Sequence, residues 1–170
     1  SLAEKVYREL VRLYPDVESY IVDLAYLLRD KGRYNETRDL LEPYVNRNPQ
    51  SGPQVRLLLA DCLFQDKDDT LALTICDSIV DRFPDSLGIV RWAGELLLAR
   101  GYTSRSTWFF RQALIIKPDD YASLKGLGVS LLERNPPEAA RVLEKALELD
   151  YRDFEAAYLL RIQQGSAFHG

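Results

Sequence analysis

The 170 residues contain no methionine, one histidine, two cysteines and two tryptophans. Each scarcity excludes something. A single histidine, His169, cannot supply a His-based triad or a multi-histidine metal site. Two cysteines, Cys62 and Cys76, are too few for a disulfide framework. They fall on two helices of one hairpin, where a redox link is open to them, but buried free thiols are the expected state. A basic excess is missing too. The net charge is -4 and the pI about 5.1, which argues against a general nucleic-acid binder. No apolar run reaches membrane-spanning length, and no secretory pattern is present. No glycine-rich phosphate loop of standard spacing occurs. "GLGVS" (126–130) has two glycines but no preceding strand, so helix contact is the expected role of Gly128. The acidic runs "DKDD" (66–69) and "KPDD" (117–120) lack the alternating spacing of a calcium loop and are expected as solvated turns and helix caps.

What is present is a repeat. "GRYNETRDLLEPYVNRNP" (32–49) and "GYTSRSTWFFRQALIIKP" (101–118) have the same length and the same course, from a turn glycine through a helix-period pattern to a proline. "KDDTLALTICDSIVDRFP" (67–84) is a third copy with Lys for Gly. Pro15, Pro49, Pro84 and Pro118 are spaced by 34, 35 and 34 residues. A small-residue column runs Ala3, Thr37, Ala72, Ser106 and Ala139. A bulky column follows it, Tyr7, Leu41, Cys76, Phe110 and Leu143, and three residues further on come Leu10, Tyr44, Ile79, Ala113 and Ala146. In the first half of each copy stand Ala25, Ala60, Gly94 and Gly128, followed by Leu28, Leu63, Leu97 and Leu131. A period of this size means stacked units, each a pair of helices. Small columns let helices approach, large columns fill the space, and the proline stops the second helix. The spacing predicts helices at 2–13, 17–31, 34–47, 53–66, 69–82, 86–100, 103–116, 120–134, 137–149 and 153–163. In the fourth copy Asn135 is expected to cap and Pro136 to begin a helix. Pro43 should kink or fray the helix that holds it. Phe110 falls in a core column, so Trp108 or Phe109 must lie near the outer face or a seam.

These columns resemble the tetratricopeptide repeat family over about residues 1–163. The resemblance implies an all-α fold, a right-handed superhelical solenoid of antiparallel helix pairs. It divides the chain into the second helix of a truncated repeat (1–16), four repeats (17–52, 53–86, 87–120, 121–153), a capping or partial-repeat helix (154–164) and a tail (165–170). The residues thus read as a segment of a longer array. The family binds partners in a concave groove lined by the first helix of each unit. Its groove positions fall on Val22, Asp23, Tyr26 and Arg29, then on Leu57, Leu58, Asp61 and Phe64. Farther on they fall on Arg91, Trp92, Glu95 and Leu98, then on Lys125, Val129 and Leu132. Two known branches do not fit. The positions that clamp a C-terminal carboxylate hold Val22, Tyr26, Leu58, Gly88 and Trp92. Those of the sugar-transferase asparagine ladder hold Asp23, Leu58, Trp92 and Gly126.

The function expected is therefore a non-catalytic protein–protein interaction scaffold. It needs no cofactor and takes a peptide or protein with apolar anchors, neither nucleic acid nor a membrane. Alternatives are a regulatory or substrate-recruiting arm of a larger enzyme such as a transferase, and a segment that self-associates through open array ends.

Overall fold

A computed structural model describes residues 1–166. Ten α-helices and no strand occur among the described residues: α1 (Leu2–Leu13), α2 (Glu18–Asp30), α3 (Tyr34–Arg47), α4 (Pro53–Gln65), α5 (Asp69–Arg82), α6 (Leu87–Ala99), α7 (Thr103–Ile116), α8 (Tyr121–Leu131), α9 (Pro136–Leu149) and α10 (Phe154–Ser166). The all-α stack of helix pairs expected from the repeat is what the chain forms. Two compact units divide it, Ser1–Asp81 and the residues from Arg82 onward. In the first, α2 packs on α1, α3 and α4, and α3 on α4. In the second, α7 packs on α6 and α8, α9 on α8 and α10, and α6 on α8. His169 and the end of the tail lie outside the described residues.

The columns explain these contacts. From α2 to α9, every residue in them is buried, the charge-free Thr37 and Ser106 included. Thr37 satisfies its hydroxyl by donating to the Arg33 carbonyl at 2.9 Å, one turn back. Only α1 departs: it has no buried residue, and Leu2, Val6 and Leu13 are exposed.

Three of the hairpin turns are one motif. Gly32, Lys67 and Gly101 take positive φ (70°, 62° and 82°). The residue after each donates back to Leu28, Leu63 and Leu97 at 2.9–3.0 Å, closing the αL cap that satisfies a helix's last carbonyls. The fourth turn is one residue shorter and has no such residue. There α8 stops at Leu131, three residues before the expected end. Asn135 caps α9 by accepting from the Glu138 amide at 3.3 Å.

Pro43 does not break α3, which runs through it to Arg47. The proline is exposed, and so is Asp39, whose carbonyl loses its helical donor.

Side by side, Trp108, Phe109 and Phe110 divide as helical geometry requires. Phe109 and Phe110 are fully buried, and Trp108 is 46% exposed, standing edge-on to Phe109 with ring centroids 5.0 Å apart. Phe110 fits because glycines face it. A β-carbon at Gly126 would come within 2.4 Å of its ring, and one at Gly94 within 3.2 Å. Each buried phenylalanine contributes about 1.5–3 kcal/mol.

Candidate functional site

The first helices of the pairs carry the candidate positions. On α2, Val22, Asp23, Tyr26 and Arg29 are half-buried. Glu18 fixes the start of this helix by accepting from the Gly52 amide at 2.9 Å and from the Tyr44 hydroxyl at 3.2 Å. Asp23 stands against the Tyr7 hydroxyl and holds its pKa above the usual phenol range. Burial raises the Tyr26 phenol, so it stays a neutral hydroxyl at ordinary pH. Arg29 Nε donates to Asp61 at 2.7 Å.

The α4 positions need correction. Leu57 and Leu58 are fully buried, Asp61 is 4% exposed and Phe64 5%. From Leu57 to Phe64 every residue of α4 is buried. A helix apolar nearly all round must be enclosed, and "LLLADCLF" is such a stretch. These four side chains fill the core rather than meet a ligand. Asp61 is tolerated there because Arg29 neutralises it.

In the second unit the expected positions reach the surface. Arg91, Trp92 and Leu98 on α6 and Lys125, Val129 and Leu132 near α8 are half-buried, and Glu95 is exposed. The structure adds groups that the repeat columns did not single out. Arg91 Nη1 donates to both Asp120 oxygens at 3.1 Å, and its Nε lies 3.5 Å from Glu95. Burial alone would raise the Asp120 carboxyl, but bonds from Ser123 and Arg91 outweigh it and hold it below the usual range. Asp120 also caps α8, so "KPDD" is a cap whose last carboxylate is buried, not solvated. Lys125 Nζ lies 2.8 Å from Asp153 and 2.7 Å from Glu155, which hold α10 beside α8. The Tyr121 hydroxyl also donates to Asp153. The cations of this face are thus engaged with carboxylates at the start of the next first helix.

On α10, Phe154 is 87% exposed, Tyr158 64% and Ile162 46%. The three stand four residues apart, so they share one face. Tyr158 and Ile162 follow Lys125 and Val129 by 33 residues, the spacing of the short fourth repeat, and occupy the same register. That count was available from the sequence, but the departure of α10 from the core columns hid it. Its positions equivalent to Leu124, Gly128 and Leu131 are Ala157, Arg161 and Gln164, all exposed.

No cluster of three or more His, Cys, Asp or Glu able to hold a metal occurs among the described residues. Both cysteines are buried and free. Burial, with Asp61 and Asp66 nearby, pushes the Cys62 thiol up to about 12, so it carries no thiolate near neutral pH. No helix among the described residues is long and apolar enough to cross a membrane.

Comparison with known proteins agrees with this geometry. Residues 22–86 match the tetratricopeptide repeat family. No curated protein matches in sequence. Among solved structures, the chain is similar to YrrB, described as a tetratricopeptide-repeat protein with an unusual peptide-binding site (17% identity, TM-score 0.68, 91% of this chain and 80% of that one). It is also similar to MamA from Desulfovibrio magneticus RS-1 (15%, 0.70, 98% and 86%) and to pilF of Pseudomonas aeruginosa (15%, 0.72, 89% and 69%). At these identities the likeness is one of fold.

Proposed function

Given a chain whose fold is that of tetratricopeptide-repeat proteins, we propose that it is a non-catalytic interaction module that takes a partner segment on the exposed face of its first helices. One observation carries the reading. On four of the five first helices, all but the enclosed α4, apolar or aromatic side chains are left at least partly in water: Val22 and Tyr26 in the first unit, Trp92, Leu98, Val129 and Tyr158 in the second. Aromatic and arginine side chains in such settings dominate binding energies. The cations Arg91 and Lys125 of the face are already matched by carboxylates. The peptide-binding site named for YrrB makes the same use of the fold plausible on physical grounds.

The test is a pair of variants. Val22→Ala with Tyr26→Ala, and Val129→Ala with Tyr158→Ala, should each keep the far-ultraviolet circular dichroism of the parent. Each should weaken partner binding by about 1–3 kcal/mol. Unchanged binding by both folded variants contradicts the proposal. A second reading, self-association, rests on α1, where Leu2 is 78% exposed, Val6 48% and Leu13 52%. Light scattering decides it: a mass constant over a wide concentration range excludes it.

A further inference from the structure

On the face formed by α6, α8 and α10, each of two cations is shared by two carboxylates. Two cations, Arg91 and Lys125, meet four carboxylates: Asp120 and Glu95 around the first, Asp153 and Glu155 around the second. The four differ in depth. Asp120 and Asp153 have side chains 10% and 13% exposed and take the inner side of each cation. Glu95 and Glu155 have side chains 51% and 69% exposed and stand toward water. The inner carboxylates engage the arginine and the lysine at depth, and the outer glutamates keep part of their charge toward water. Partial burial raises the Glu95 carboxyl, with Arg91 pulling it down and Asp120 pushing it back up. A cation placed beside it would relieve that.

Beside Glu155 lies the apolar stripe of α10, on the same face as Glu95. Glu155 adjoins Phe154 in the chain, and Tyr158 follows one turn later. Exposed carboxylates on a face with exposed aromatics disfavour nucleic acid and anionic membrane surfaces, whose charge has the wrong sign. It matches a protein segment that has bulky apolar side chains with lysine or arginine beside them. We propose that the partner of this face is a basic amphipathic protein segment, its apolar side chains on Phe154 and Tyr158 and its cations on Glu95 and Glu155. The inference rests on the binding role proposed for the first helices and adds the chemistry of the occupant.

The experiment uses the full chain and two labelled peptides of equal length, an amphipathic Leu/Lys helix and its Leu/Glu counterpart, followed by fluorescence anisotropy. The Leu/Lys peptide should bind at least about tenfold more tightly, with an advantage that shrinks as salt rises past the screening range. Glu95→Gln with Glu155→Gln should abolish that advantage. Phe154→Ala with Tyr158→Ala should cost about tenfold in affinity for the Leu/Lys peptide. These four side chains are exposed, so circular dichroism should not change. If both peptides bind equally and the aromatic double variant loses both, the charge inference falls while the face stands as a binding surface. If the Leu/Lys peptide binds but neither double variant affects it, or if it does not bind at all, the proposal is overturned. In the first of those cases the binding role of this face goes with it.

Discussion

Lys67 shows how far a single residue can stray from its repeat. At the matching turns the chain uses Gly32 and Gly101, and all three positions need positive φ. A side chain there costs about 1–2 kcal/mol through its β-carbon, which glycine lacks. Lys67→Gly should therefore stabilise the chain by about 1 kcal/mol, less than the full strain because glycine gives more entropy to the unfolded state. Thermal unfolding would show it as a higher Tm, and an unchanged or lower Tm would contradict the turn assignment. Glu4 makes a different point. Lys31, Arg33 and Arg8 surround its carboxylate at 2.6–3.0 Å and hold its pKa at about 2, against a usual value of 4.5. A depressed carboxyl contributes its full stabilisation above its unfolded value and loses it as protons bind the folded form. Stability should accordingly fall between about pH 4.5 and 2 through this group. Acid titrations of the parent and Glu4→Gln, compared at low and high salt, should differ in that window at low salt and converge at high salt.

At the scale of the helix, α3 carries Pro43 at an exposed interior position. Pro43→Ala restores a donor toward the Asp39 carbonyl and should stabilise the protein by about 1–3 kcal/mol, the lower figures arising because alanine frees the unfolded chain. Urea unfolding would read this as a raised midpoint at constant slope. Helices were also where the sequence was most and least informative. The small and bulky columns placed the helix pairs and named the core, because burial between paired helices is periodic and period survives in sequence. Cap chemistry set the α9 start at Asn135–Pro136 for the same local reason. The candidate face was legible only in part. Register put Leu57, Leu58, Asp61 and Phe64 on it, yet accessibility depends on what encloses α4, and register does not encode that. The unbroken apolar run of α4 was the available sign. Phe154 and Tyr158 were missed in the opposite way, since α10 lacks the core columns that mark a first helix while keeping its surface register. Asp120 and Asp153 gained their roles from Arg91 and Lys125, about thirty residues away, a pairing no local pattern announces.

At the scale of the whole molecule, the repeat distributes stability along the chain, helices resting on their neighbours within each unit. Chemistry is distributed likewise, with ion pairs passing from one first helix to the next: Arg29 to Asp61, Arg91 to Asp120, Lys125 to Asp153. An architecture of this kind acts through its surface. The most direct test of that claim is site-specific photocrosslinking in cells, with a photoreactive residue placed in turn at Val22, Val129 and Tyr158 on the first helices and at Leu71 and Ile115 on the second. The account predicts adducts to a protein partner from the first three positions and none from Leu71 or Ile115. Adducts confined to those second-helix positions would contradict it.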